Sequence, residues 1–290
     1  MVGGAAAVTP LSRAWAIARL VHPFPVSIVV LTSAALVLVA HGGYPGGSFL
    51  LRAVAAVLFC QASVGALNDY VDKDIDRIFQ RDKPIACGQA TERSALVLTV
   101  SAALVSALFA LTFGWPSMIV LLLATSGGWA YDLWLSRGPF SVAGYLAGFM
   151  GLLTWIWLIN SRLNLSFLLV YAAGAPIIAA AHLANAAPDL ETDREMGVRN
   201  LAVVLGERRL VPTIFTLYAL SALAGTALVV AAHSVSAATV LIASLVVAGV
   251  AAIVARNTTE RPARLLLFKL FAPAAGLLGV GCLMALRQIS

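Results

Sequence analysis

The chain has 290 residues, 61% of them hydrophobic and only 11% charged, with a formal net charge of +6 and a mean hydropathy of +0.93. A soluble globular domain carries about twice that share of charge, so that class is excluded, and repeated apolar runs of about twenty residues describe an all-α polytopic membrane protein. The pI near 9.6 does not point to nucleic acid, because the basic residues are spread through loops where membrane orientation and lipid headgroups account for them.

In chain order, Arg13 and Arg19 precede a first apolar stretch from Val26 to Ala40. It has the look of a secretory leader, but Pro23 and Pro25 lead into it, no small-residue cleavage site precedes His41, and many further apolar segments come after it. It reads as a retained, kinked first helix. Nine transmembrane helices are expected near residues 16–40, 49–68, 94–113, 115–134, 140–160, 166–186, 210–232, 235–255 and 265–286. Turn signals at Gly42-Gly43-Tyr44-Pro45, Gly114-Trp115-Pro116, Gly138-Pro139 and Arg261-Pro262 separate several of them. No polar linker divides the chain, so the expectation is a single domain over 1–290, one bundle with a central cavity open to the cytoplasmic face.

With the N-terminus inside, all but three (Arg52, Arg162, Arg287) of the 19 Lys and Arg fall on the inner side, which sets the orientation. All 13 acidic residues fall there too. Chemistry is therefore expected at the cytoplasmic face, and the cytoplasmic membrane of a bacterium is the expected location. Cys60, Cys87 and Cys282 are odd in number and far apart, and read as reduced thiols without a metal role. Gly144, Gly148 and Gly151 share a helix at a close-packing spacing.

The charge that matters is concentrated in two places. Asn68-Asp69-Tyr70-Val71-Asp72-Lys73-Asp74-Ile75-Asp76-Arg77 ends one apolar run, and Asn185 to Asp193 ends another. At about 100° per residue, Asn68, Asp69, Asp72 and Asp76 share one helix face, and Asp74 points away. Asn185, Asp189 and Asp193 repeat the i, i+4, i+8 stripe. Several carboxylates together repel one another, and a divalent cation relieves that repulsion. Sparse carboxylates with water and phosphate oxygens are the usual surroundings of Mg²⁺. Two such stripes facing each other, with Lys73, Arg77, Lys83 and Arg137 nearby, make a diphosphate site. For Asp74, Asp82, Glu92 and Glu207 a solvated loop or cap role is the simpler reading.

The pattern Asn68-Asp69-x-x-Asp72-x-x-x-Asp76 resembles the first signature of the UbiA superfamily of intramembrane prenyltransferases. Arg81-Asp82-Lys83-Pro84-Ile85-x-x-Gly88 resembles the loop next to it in that family, and Asn185-x-x-x-Asp189-x-x-x-Asp193 with Gly197-Val198-Arg199-Asn200-Leu201 resembles the second signature. Tyr131-Asp132-Leu133-x-Leu135-x-Arg137 is similar to the family's tyrosine segment, and Arg19-x-x-His22-Pro23 is a weaker echo of its first helix. Lys83 stands where many relatives carry Arg, Asn200 where Thr is common, and Pro188 should kink the helix just before Asp189.

The resemblance implies Mg²⁺ as cofactor, an isoprenyl diphosphate as donor and an aromatic or lipid acceptor in the membrane. Ionisation of the C–O bond gives an allylic cation that the acceptor captures. By the match, Asn68, Asp72, Asp76, Asp189 and Asp193 are metal and diphosphate ligands, with Asp69 and Asn185 in support. Tyr131 and Arg137 hold the diphosphate or shield the cation, and Arg19, Lys73, Arg77 and Lys83 complete the basic set. His182, one turn deeper on the second stripe, either approaches the acceptor or is simply packed. The expected acceptor is an aromatic quinone precursor. A lipid phosphate, a porphyrin-type ring, water or intramolecular cyclisation are alternatives on the same fold. A cation-coupled transporter is the rival of a different class, disfavoured because transporters place such groups near the midplane of paired repeats.

Overall fold

The computed structural model describes residues 10–165, 167–256 and 260–289. The N-terminal arm before Pro10, and residues 257–259 of the Asn257–Arg264 loop, lie outside them. Among the described residues every regular element is helical: α1 (Pro10–Leu20), α2 (Pro23–His41), α3 (Gly47–Val71), α4 (Lys73–Phe79), α5 (Glu92–Leu111), α6 (Trp115–Ala130), α7 (Ser141–Ile159), α8 (Phe167–Ala186), α9 (Leu190–Glu195), α10 (Leu201–Ala232), α11 (Val235–Ala255) and α12 (Arg261–Ile289). A π turn over Tyr131–Leu135 extends α6, and a 3₁₀ turn over Ala187–Asp189 joins α8 to α9. Nine of these helical stretches are long and apolar enough to cross a membrane. The protein is integral and multi-pass.

Two expected helices differ from those that form. The single helix expected over 16–40 is two, because His22 adopts a left-handed backbone (φ 55°) before Pro23, and a residue ahead of proline is disfavoured in the helical region. The helix expected from residue 210 starts at Leu201, where the Asn200 side chain accepts the Val203 N–H at 2.9 Å as an N-cap. It bends at Gly206 (φ 69°, ψ 170°), a conformation only glycine takes without strain. A further break is as expected: α8 gives way to the 3₁₀ turn at Pro188. At Asp72 the chain merely hesitates. Asp72 N donates to Asn68 O (2.9 Å) and Asp76 N to Asp72 O (2.8 Å), so the stripe runs from α3 into α4 nearly unbroken.

Apolar surface gains little by leaving lipid, so helices in a bilayer associate through close packing and interhelical hydrogen bonds. Both are present. A Cβ on Gly127 of α6 would sit 2.7 Å from Gly148 N of α7, and one on Gly144 would sit 2.6 Å from Tyr131 Cβ. These glycines bring α7 against α6 and its π turn. Ser63 donates to Thr99 O (2.8 Å), Ser106 to Ala56 O (2.8 Å), and Trp155 Nε1 to Ser117 Oγ (2.7 Å).

Two main apolar cores result. One gathers residues of α8 and α10 to α12 around Leu183, Ile214 and Phe271. The other gathers α2, α3 and α5 to α7, with the start of α8 and the end of α12, around Val57, Leu121 and Trp155. The first acidic stripe belongs to the α2–α7 half and the second to the α8–α12 half. Between the halves lies an apolar cavity of about 190 Å³, lined by Pro25, Tyr145, Phe149, Ala181, Phe268 and Leu286 among others.

Candidate active site

The end of α3 and its cap carry Asn68, Asp69 and Asp72, and α4 adds Asp76. Asp69 and Asp76 are both buried, and Lys83 from the loop after α4 reaches between them, its Nζ 3.1 Å from Asp69 Oδ1 and 3.0 Å from Asp76 Oδ2. Asp69 Oδ1 also lies 2.9 Å from His22 Nε2 at the α1–α2 corner. Burial alone would lower the Lys83 pKa, but the two carboxylates outweigh it and hold the ammonium above its usual range. Burial pushes the Asp76 carboxyl up to about 6 despite Lys83. It also raises Asp72, against the pull of Lys83 and Arg137.

Asp72 and Asn68 make the outward half of the stripe. Asn68 Nδ2 donates to Asp72 Oδ2 and to Asp132 Oδ1, each at 3.2 Å. Arg137, from the loop after the π turn, reaches Asp72 Oδ1 at 3.4 Å.

The second stripe faces the first. Gln80, just past α4, donates to Asp189 Oδ1 at 3.4 Å, and Arg261 at the start of α12 pairs with the same oxygen at 3.1 Å. Asp193 accepts from Asn200 Nδ2 at 2.6 Å and lies within electrostatic reach of Asp189, Asp72 and Arg137. Arg199 N donates to Arg137 O at 3.2 Å, tying the two motif loops together. Asn200 caps α10 with its oxygen while its amide holds Asp193. A threonine at this position would have one hydroxyl for both tasks. Asn185 bonds Tyr145.

Tyr131 opens the π turn, whose Ser136 N–H reaches back five residues to Tyr131 O at 2.8 Å. Such one-residue irregularities recur at functional sites. Here the turn places Tyr131 edge-on to Tyr145 (ring centroids 5.1 Å) and His182 (5.6 Å). Tyr145 lines the cavity, so the acidic site and the apolar cavity meet at this aromatic group. His182 is fully buried, with Nε2 2.9 Å from Ser141 Oγ.

Three basic residues expected at the diphosphate are elsewhere. Arg77 pairs with Asp74 (2.6 Å) and Glu92 (3.0 Å) on the outer side of α4. Lys73 lies over the Tyr70 ring, 4.3 Å from its centroid, and 3.9 Å from Glu92. Arg19 donates to Asp82 O and lies 3.7 Å from the Asp82 carboxylate. Each serves a solvated neighbour, which leaves Lys83, Arg137 and Arg261 as the cations that touch the stripes. Arg261, Gln80, His22, Tyr145 and Asp132 do not stand out in the sequence as site residues. Asp132 carries a usable signal nonetheless, an acid within an apolar run, where ionisable groups are costly unless used.

Among the described residues, no three His, Cys, Asp or Glu side chains are gathered closely enough to form a ready-made metal site. The carboxylates are instead each held by a cation or an amide of the protein itself. The donor set is oxygen throughout, which suits a hard divalent cation that keeps several waters and takes one or two carboxylates.

The sequence matches the model of the UbiA prenyltransferase family over residues 28–272. It is 28% identical over 171 residues to the digeranylgeranylglyceryl phosphate synthase of Natronomonas pharaonis, covering 58% of this chain and 61% of that one. It is 30% identical over 176 residues to the 4-hydroxybenzoate octaprenyltransferase of Edwardsiella ictaluri, covering 58% and 59%. The match thus spans roughly three-fifths of these curated relatives. The structure is similar to that of a UbiA homolog from Archaeoglobus fulgidus bound to DMAPP and Mg²⁺, with a TM-score of 0.68 at 17% identity, covering 89% of this chain and 97% of that one.

Proposed function

The chain belongs to the UbiA prenyltransferase family, and on that premise we propose that it transfers an isoprenyl group from a polyprenyl diphosphate to an acceptor in the membrane, most naturally an aromatic quinone precursor. The observation that carries this reading is the meeting of two acidic stripes, one from each half of the bundle, at the aromatic mouth of an apolar cavity. The donor's charged head belongs at the stripes and its hydrocarbon tail in the cavity.

The residues present fit Mg²⁺. Asn68, Asp72, Asp189 and Asp193 offer oxygen ligands from two sides, and the cations now lying on them are displaceable. When bound, Mg²⁺ neutralises diphosphate oxygens and stabilises the charge that develops on the leaving group. The protein supplies the rest. Arg137 and Arg261, about half exposed, are free to turn from carboxylates to diphosphate oxygens as the donor arrives. Lys83 stays between Asp69 and Asp76 and keeps that part of the stripe in place. As the C–O bond ionises, the ring faces of Tyr131 and Tyr145 border the allylic carbons and stabilise positive charge there. The apolar lining excludes water, so the acceptor captures the cation in its place.

The catalytic domain spans 1–290, and the site faces the cytoplasm of a bacterial cell, an orientation supported by the basic residues on that side. A lipid acceptor is the second reading, favoured by the cavity's almost wholly apolar lining and by the name of the Natronomonas relative.

The test is diphosphate release by purified protein in nanodiscs, with Mg²⁺ and labelled geranyl, farnesyl or geranylgeranyl diphosphate, with and without aromatic or glycerol-phosphate acceptors. Metal-dependent release that needs an acceptor, and is lost in Asp72→Ala and Asp189→Ala, is the expected result. Release without an acceptor replaces transfer by hydrolysis or cyclisation. No turnover with any donor overturns the assignment.

A further inference from the structure

Asp132 has no role in the transfer reaction itself, yet its placement is costly. It lies on the π turn, 3% exposed, in a span with little else that is charged. Its Oδ1 accepts from Asn68 Nδ2, while its Oδ2 is buried without any hydrogen-bond partner. Asp72, Lys83 and Asp69 are within electrostatic reach. A buried carboxylate oxygen left bare is destabilising, and so is a third carboxylate beside Asp69 and Asp72. Replacing Asp132 with an apolar residue would remove both costs. Its presence calls for a compensating use.

The use is legible in the Asn68 amide. Nδ2 has two hydrogens, and two carboxylate oxygens, Asp72 Oδ2 and Asp132 Oδ1, stand 3.2 Å from it. Turning the amide over would set its oxygen against both carboxylates, so the pair of acceptors fixes the orientation. With both hydrogens engaged, the carbonyl oxygen Oδ1 is the one group of that side chain left to bind something else. Asp72 alone would not settle this, because it shares its helix stripe with Asn68 and moves with it. Asp132 comes from a different element, across the site.

We propose that Asp132 is a positioning residue for the metal site: it holds the Asn68 amide so that the carbonyl oxygen is available to a divalent cation. The inference rests on the metal-dependent transferase reading. It adds a residue that neither acidic motif contains, carried at the start of the π turn.

The experiment titrates Mn²⁺ into the full-length protein in nanodiscs with a non-ionising thiolodiphosphate analogue of the donor. Bound metal is read by the loss of the free-ion electron paramagnetic resonance signal, and thermal unfolding is followed alongside. Loss of an orienting partner of a metal ligand typically weakens affinity 10–100-fold. Asp132→Leu should raise the Mn²⁺ midpoint about tenfold or more, and Asp132→Asn, whose amide oxygen still accepts from Asn68, about threefold. The Asn68→Ala, Asp132→Leu double variant should bind no more weakly than Asn68→Ala alone, because Asp132 acts through Asn68. Should Asp132→Leu not fold, the Asp132→Asn midpoint decides. An unchanged midpoint in the Asp132 variants, with metal binding intact in the wild type, overturns the inference and leaves the transferase reading standing. So does full additivity in the double variant. A wild type that binds no Mn²⁺ with the analogue overturns both.

Discussion

The two acidic segments share an i, i+4, i+8 spacing, yet the protein builds around them differently. In the first, Lys83 is locked between two buried carboxylates, His22 closes over one of them, and only Asn68 and Asp72 stay available. In the second, Asp189 and Asp193 are half-exposed, one held by Arg261 and Gln80 and the other by Asn200. Buried ion pairs resist separation, since removing one partner strands the other in a medium that solvates it poorly. Half-exposed pairs separate at little cost. The same motif spacing therefore yields a rigid frame on one side of the cavity and a set of displaceable ligands on the other.

The comparison breaks at its strongest point if the two ligand sets are not both needed. Asp72→Ala and Asp189→Ala should each lower the rate of diphosphate release on the order of 1000-fold at saturating donor, a loss comparable to removing a transition-state charge contact. A loss confined to Asp72 would make the second stripe dispensable. Stability should divide the two sides next. Lys83→Met strands Asp69 and Asp76 and should cost about 3 kcal/mol in denaturant unfolding, whereas Arg261→Met at the half-exposed Asp189 should cost less than about 1 kcal/mol.

The pH dependence sharpens the frame side. Asp76 is pushed up to about 6 by burial, with Lys83 opposing. A cation binding beside it favours the ionised carboxylate, so metal binding releases that proton. Affinity should be level above about pH 7 and fall as the pH drops through 6, by up to about tenfold per unit. Asp76→Asn should make the profile shallower below pH 7. The smallest effect is expected outside both sides. Arg77→Ala removes only surface pairs with Asp74 and Glu92, and should change the rate less than twofold and stability by under about 1 kcal/mol.

Much of this architecture is legible in the sequence, because a membrane writes its demands in one dimension. Apolar runs of fixed length locate the spans, and Pro188 announces the break before Asp189. The stripes are readable because helical periodicity maps sequence offset onto direction. The features that escape are those that depend on a partner from another helix. Lys73 and Arg77 sit among the aspartates in sequence but turn outward to Glu92, a residue a loop away. Arg261 lies 72 positions from the carboxylate it holds. The left-handed turn at His22 can be read from Pro23, but its partner Asp69 cannot. Sequence proximity therefore misplaces two of the basic residues nearest the motifs and overlooks a distant one.

The π turn at Tyr131–Leu135 amounts to a single surplus residue wound into an otherwise ordinary helix. Excising it would let the i→i+4 ladder close without interruption and rotate the downstream segment by about 100° relative to the upstream one. The repaired helix would be the better helix, and Arg137, downstream of the turn, would no longer face Asp72. At this locus the change that heals the backbone is the change that dismantles the catalyst. Selection for thermal robustness alone would move the chain toward losing it. The surplus residue is thus a place where continued use, rather than durability, keeps the sequence as it is.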